Sequence, residues 1–222
     1  MSKQDRGTEQ ALRRLEDTSP SVRLRAALDA GTAPDPRFVG KLVERCAVEP
    51  EFYVRDMLTW ALTRHPSSAT LPALLHEVRS ECAQARSQAL HTLSKIGDRQ
   101  AWPAITRALL SDADDEVARS AWRAAVVLVP EGEEPRLAAA LAAQLGRGER
   151  ETQLSLSRAL IALGEVIVPP LRAAMADPDP LVRGHAIATE RLLRNPEAGF
   201  EFAIEEAKRI VVLGRTSQTS QE

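Results

Sequence analysis

The stretch Ala85-Arg86-Ser87-Gln88-Ala89-Leu90-His91-Thr92-Leu93-Ser94-Lys95-Ile96-Gly97 decides the fold. Counted from Ala85, apolar or small residues recur four, seven, eight and eleven positions on, at Ala89, Thr92, Leu93 and Ile96. At roughly 100° per residue these offsets fall in one stripe, as a half-buried helix requires. Gly97 stands where such a helix should stop. The same phase returns at Val22-Arg23, Val54-Arg55, Val117-Ala118 and Val182-Arg183. The first residues of these pairs step by 32, 31, 32 and then 65, which is two repeats. Thr152-Gln153 fills the gap, with Leu156, Ala159, Leu160 and Leu163 as its stripe.

A second helix precedes each of these, marked by Thr70-Leu71-Pro72-Ala73-Leu74, Ala101-Trp102-Pro103-Ala104-Ile105 and Val168-Pro169-Pro170-Leu171. Proline early in a helix costs little, because the first N–H groups have no intrahelical partner. Ser19-Pro20, Asp35-Pro36, Asp179-Pro180 and Asn195-Pro196 sign helix starts, and Gly31, Gly97, Gly164 and Gly214 sign stops. Strand alternation is absent. Ile210-Val211-Val212-Leu213 continues the helical spacing of Phe200, Ala203, Ile204 and Ala207. A pair of helices cannot bury its own apolar face, so neighbours must stack. The expectation is an all-α, right-handed α-solenoid of about six pairs with a C-terminal capping helix. It forms one domain over residues 8–214, between disordered ends at 1–7 and 215–222.

Composition agrees. With 44% hydrophobic, 27% charged and only 4% aromatic residues, the core must be built from Leu, Ala, Val and Ile. No run of about 18 apolar residues offers a membrane span, and Met1 to Gly7 is too polar for a signal region. Cys46 and Cys82 lie outside any metal-ligand spacing, so they read as reduced thiols of a cytoplasmic protein. A net charge of −2 argues against a general polyanion binder but leaves room for a local basic stripe.

The pattern of Pro-x-Leu in the first helix, an acidic residue in the turn and Val-Arg opening the second helix resembles the HEAT repeat family, including the PBS-lyase/HEAT-like repeats. Asp17 with Arg23, Asp112 with Val117 and Asp177 with Arg183 carry it; Glu49 and Glu81 stand in for the acid elsewhere, and Gln153 for the arginine. The resemblance covers roughly residues 8–195. It implies an acid–arginine ladder between successive turns. Residues 52–66, 85–98 and 112–132 also resemble the HEAT module of some actinobacterial MerR-type regulators. There the module follows a DNA-binding winged helix; here the repeats begin almost at Met1, which implies a bacterial, free-standing regulatory module.

In such solenoids the second helix of each pair lines the concave side. The sixth position after each anchor lies opposite the core stripe and reads Leu28, Trp60, His91, Arg123, Arg158 and Ala188. With neighbouring columns, Trp60, Arg64, His91, Lys95, Arg119, Arg123 and Arg158 form the candidate partner-binding stripe. The functional reading is a cationic groove with an aromatic anchor for an acidic peptide or protein surface, with a transcription-related protein as a candidate partner. The plain alternative packs Trp60 against a neighbouring helix and leaves the cations solvated. Trp102 and Trp122 are expected to pack in the core, and Phe52 and Tyr53 to cover a repeat junction.

Chemistry is sparsely signalled. His65, His76, His91 and His185 fall in different repeats with no one-turn pairing, so no metal or other cofactor is expected. Asp114-Asp115 and Glu133-Glu134 suit helix starts. Asp56 and Trp60, one turn apart, with Arg123 and Arg158 on later helices, resemble the cleft of the alkylpurine DNA glycosylases of HEAT-like fold, but there the Trp precedes the Asp. Phycobilin lyases use such repeats too, and no bilin site is marked here. The expectation is therefore a non-enzymatic scaffold. Nucleic-acid binding is the alternative, and the oligomeric state is open.

Overall fold

The computed structural model describes residues 3–196 and 199–219. Its packing divides the chain into two compact units, Met1–Leu128 and Val129–Glu222. No strand occurs among the described residues, so the all-α reading holds.

In the first unit, α1 (Lys3–Arg14), α3 (Arg37–Val48) and α5 (Ser67–Glu77) alternate with α2 (Pro20–Thr32), α4 (Phe52–Thr63), α6 (Ala83–Ile96) and α8 (Asp115–Leu128). Each of α2, α4, α6 and α8 opens at an expected anchor and packs on the next in that order, while α1, α3 and α5 stack beside them. The core is aliphatic, as the composition requires: Ala26, Ala27, Leu42, Leu58, Ala61, Leu62, Leu90 and Leu128 are fully buried. Small residues on the packed stripes bring the helix backbones close. Buried hydroxyls then tie neighbouring helices, Thr59 to Thr92 at 3.4 Å and Ser87 to Ser120 at 3.0 Å.

The first helix of the fourth pair is broken. Pro103 lacks an N–H and crowds the preceding turn, so residues Arg99–Ala104 form a 3₁₀ segment and only Arg107–Leu110, α7, is α-helical. Thr106 caps that turn, its Oγ1 accepting from Leu109 N–H at 3.3 Å. Pro72 also departs from the expected early position, lying inside α5.

The second unit holds α9 (Glu134–Ala142), α10 (Arg150–Ala162), a 3₁₀ turn at Gly164–Ile167, α11 (Val168–Ala174), α12 (Pro180–Arg194) and α13 (Phe200–Thr219). The helices α10 and α12 open at the fifth and sixth anchors. Phe200, Ala203 and Ala207 of α13 close over Ala188 and Leu192 of α12, covering the face that a further pair would cover. Ser157 and Thr189 make the same hydroxyl tie as in the first unit, at 2.8 Å.

Several expected boundaries move. Residues 3–7 belong to α1 and 215–219 to α13, because a helix docked by its inner turns propagates outward cheaply; residues 1–2 and 220–222 lie outside the described residues. Gly214 is inside α13, and Gly31 is within α2. Asn195-Pro196 ends α12 and precedes the start of α13 at Phe200. Gly97 and Gly164 do mark stops, with φ of 71° and 72°.

The ladder is observed at two rungs, both in the first unit. Arg23, Arg55, Arg86 and Arg183 each donate Nη1 to two carbonyls of their own turn, Arg86 to Ser80 at 2.9 Å and Glu81 at 2.9 Å. Arg23 reaches forward to Glu49 at 2.6 and 2.7 Å, and Arg86 to Asp112 at 3.1 and 3.2 Å. By these contacts Ser80, not Glu81, occupies the acid's place after Arg55. Accordingly Arg55 Nε is buried with no hydrogen-bond partner among the described residues. Gln153 keeps part of the arginine's role by donating to Gly148 O at 3.1 Å.

Candidate protein-interaction face

Helices α4, α6 and α8 lie side by side, so their outward positions form one surface of the first unit. Within each helix the residues facing the core are set by the apolar stripe. The residues six and ten after the anchor are thereby turned away from it.

Trp60 packs on a neighbouring helix and stays partly exposed. Its six-membered ring lies over Gly31 of α2, so close that a Cβ there would come within 2.3 Å of it, yet Trp60 keeps 38% of its surface exposed. A residue without a side chain gives the indole its seat, and the seat fixes the ring's outer face. Arg64 caps the end of α4 and is exposed. On α6, His91 is half-buried and Lys95 exposed.

On α8, Arg119 is half-buried and ion-paired with Glu116 at 2.7 Å. Arg123 donates Nη2 to Ser120 Oγ at 2.9 Å, while its Nε is buried with no hydrogen-bond partner among the described residues. Burial holds Arg123 below the ordinary arginine range, the neighbouring Arg119 adds to that, and Glu116 opposes it. Burial likewise lowers His91, and Arg123 and Lys95 lower it further against the pull of Asp56. Trp60, Arg64, His91, Lys95, Arg119 and Arg123 are thus all on the three stacked helices. The seventh stripe residue, Arg158, is exposed on α10 of the second unit.

Two members of the face escaped the sequence reading. Tyr53 (48% exposed) and half-buried Met57 precede Trp60 by seven and three residues, so Tyr53, Met57, Trp60 and Arg64 run along one side of α4. The signal was available, because Tyr53 lies one residue before the anchor and hence on the outward side. Tyr53 and Phe52 do not cover a junction: Phe52 is 74% exposed, with the Arg55 guanidinium 5.9 Å over its ring. Trp122, in contrast, is wholly buried, its Nε1 donating to Leu110 O at 2.8 Å, and Trp102 is half-buried beside Pro103.

The comparison with protein families decides what these helix pairs are. The model for HEAT repeats matches residues 39–126. Residues 39–126 are HEAT repeats. The match takes in all of α4 and α6 and most of α8, so six of the seven stripe residues stand on HEAT repeats. The ladder arginines and the stacked second helices are the physical content of the likeness. No curated protein matches the chain. Among the described residues, no His, Cys, Asp and Glu cluster could hold a metal ion, and no helix is long and apolar enough to cross a membrane.

Proposed function

We propose that the chain is a non-enzymatic protein-interaction scaffold of the cytoplasm that grips an acidic protein segment on the α4–α6–α8 face. HEAT repeats commonly mediate protein–protein interaction, which supports the coarser half of this reading. The observation that carries the finer half is the imbalance of charge on the face. Arg64, Lys95, Arg119 and Arg123 gather there around His91, against Asp56 and a Glu116 already engaged by Arg119. Trp60, seated on Gly31 and still exposed, supplies a rigid anchor beside them. Rigid aromatic and arginine side chains are the residues that most often dominate interface energy, at about 2 kcal/mol or more each. The likeness to the regulator-borne module supports a regulatory role for the scaffold.

The test is capture from lysate of the source organism with wild type, Trp60→Ala and Arg123→Glu as parallel baits of equal helicity. The expected result is a protein retained by wild type and lost from both variants. Its purified complex should weaken as salt rises. Retention of the same protein by all three baits would remove the face from consideration. Nucleic acid carried down by wild type alone, with a steep salt dependence, would favour the nucleic-acid reading instead.

A further inference from the structure

The C-terminal helix shows what the outward columns of this chain accept. In the second unit α13 packs beside Ile187 of α12, which corresponds to Thr59 of α4, a residue that meets the following helix. It also closes over Ala188 and Leu192, which stand six and ten positions after the anchor Val182. In the first unit those positions are Trp60 and Arg64 after Val54, and His91 and Lys95 after Ala85. Ala188 is fully buried, whereas Trp60, His91 and the corresponding Arg123 keep part of their surface in solvent. The same column is covered by a helix on α12 and open on α4, α6 and α8.

The covering helix has a simple pattern. Phe200, Ala203, Ile204 and Ala207 recur at helical spacing and form its docking stripe, and Glu206 on its flank pairs with Arg191 of α12. The open face of the first unit is divided in the same sense. Half-buried Leu24 and Leu28 of α2 and Met57, Trp60 and Tyr53 of α4 make an apolar half. Arg64 and Lys95, both exposed, stand one turn beyond Trp60 and His91 as cations open to a carboxylate. Backbone chemistry then decides the conformation of what docks there. The N–H and C=O groups along α2 and α4 are used within those helices, so the face offers no edge to which an extended strand could bond. A segment laid on Leu28 and Trp60 must satisfy its own backbone, and a helix does.

We propose that the partner's acidic segment is an amphipathic α-helix, docked on the first unit in the manner of α13 on α12. Its apolar stripe lies on Leu28, Met57 and Trp60, and its acidic flank faces Arg64 and Lys95. The inference rests on the acidic-segment reading above and names the conformation and residue pattern of the partner.

The experiment is titration calorimetry of the full chain at low ionic strength with three peptides of about 17 residues, long enough to hold helix. The first carries leucine at the spacing of Phe200, Ala203, Ile204 and Ala207, glutamate along one flank and alanine elsewhere. The second has the same composition in shuffled order, and the third is the first with a central proline. Wild type should bind the first peptide about tenfold or more tightly than either other, since proline breaks the helix and shuffling removes the stripe. Circular dichroism should show the first peptide gaining helix on binding. Lys95→Glu, a change at an exposed position that leaves the fold intact, should weaken binding about fivefold by facing the acidic flank with a like charge. Equal binding of the three peptides, weakened by Lys95→Glu, would overturn the helix and leave the acidic-segment reading intact. Binding of the first peptide that Lys95→Glu and Trp60→Ala leave unchanged would place it elsewhere, in exchange with α13 for instance, and overturn the proposal. No binding of any peptide would sink both readings.

Discussion

Ser80→Asp should stabilise the first unit, because it supplies the one carboxylate that the ladder lacks there. Arg55 already makes its two Nη1 bonds, to Glu49 O at 2.9 Å and Pro50 O at 2.7 Å, but its Nε is buried with no acceptor among the described residues. The turn itself needs no repair, since Ser80 Oγ accepts Cys82 N–H at 3.3 Å much as Asp112 accepts Asp114 N–H at 3.0 Å. Only the rung is new. A hydrogen bond to a charged group is worth about 1.5–3 kcal/mol, and an exposed ion pair about 0.2–1 kcal/mol. Ser80 and Arg55 are both half-buried, and the comparable Arg86–Asp112 pair has side chains 18% and 14% exposed. The expected gain is therefore about 1 kcal/mol, or roughly 2–4 °C in Tm for a chain of this length. Urea unfolding followed by tryptophan fluorescence reads the right unit, since Trp60, Trp102 and Trp122 all precede residue 128. The midpoint should rise by about 0.5 M at a typical urea slope. In an Arg55→Met background the gain should vanish. An unchanged midpoint, or a gain that survives the loss of Arg55, would refute the rung.

Removing a rung should cost more than adding one gains. Glu49 is fully buried and holds Arg23 and Arg45, so Glu49→Gln leaves two guanidinium groups without their carboxylate and should cost about 3–5 kcal/mol by the same fluorescence-detected unfolding. Burial alone would raise the Glu49 carboxyl, but Arg23, the Glu51 N–H and Arg45 hold it at about 2. Its contribution is thus complete above the ordinary carboxylate range and is lost as pH falls toward 2. His185 behaves oppositely in charge but similarly in pH. Burial lowers it to about 4 against the opposing bond to Gln153 O, with Gly146 N–H donating to Nδ1 at 3.1 Å and Ser157 Oγ 3.0 Å from Nε2. The unfolded chain takes up this proton first, so stability should fall by about 2 kcal/mol between pH 7 and pH 5. Circular dichroism melts of His185→Gln should show a smaller fall over that window, and an equal fall would clear His185 of the effect. Gly31→Ala places a Cβ 2.3 Å from the Trp60 ring and 2.9 Å from Ala61 Cα, so it should cost about 1–3 kcal/mol and shift Trp60 emission; a neutral, spectrally silent variant would contradict the packing.

The legible part of this chain was its periodic part. Val22, Val54, Ala85, Val117, Thr152 and Val182 each open a helix near their place, because one apolar stripe per helix is enough to fix which side is buried. What periodicity could not show was any contact between residues of different repeats that lacks a pattern of its own. Gly31 looked like a stop signal because a glycine near a helix end usually is one. Its actual role, leaving room for Trp60, depends on how near α2 and α4 approach. Glu81 is the carboxylate that the turn offers to the ladder, but the step of 31 residues instead of 32 shifts the position to Ser80. Large apolar residues are usually covered, yet Phe52 is left exposed with the Arg55 guanidinium over its ring.

Stacked repeats also allow structural and functional columns to be told apart inside a single chain. The position after each anchor reads Arg23, Arg55, Arg86, Ala118, Gln153 and Arg183, nearly one residue type, because each arginine meets the same pair of turn carbonyls. Five positions further along the same helices the column reads Leu28, Trp60, His91, Arg123, Arg158 and Ala188, with no two neighbours of one type except the arginines. A column bound by the geometry of the stack repeats itself, and a column that faces outward has no internal partner to make it repeat. Within that variable column Trp60, His91 and Arg123 are the residues on which the proposed interaction face rests. Their common features, partial exposure and an excess of positive charge on three adjoining helices, define what the proposed partner would have to bring: apolar surface beside Trp60, and acidic surface across Lys95 and Arg123.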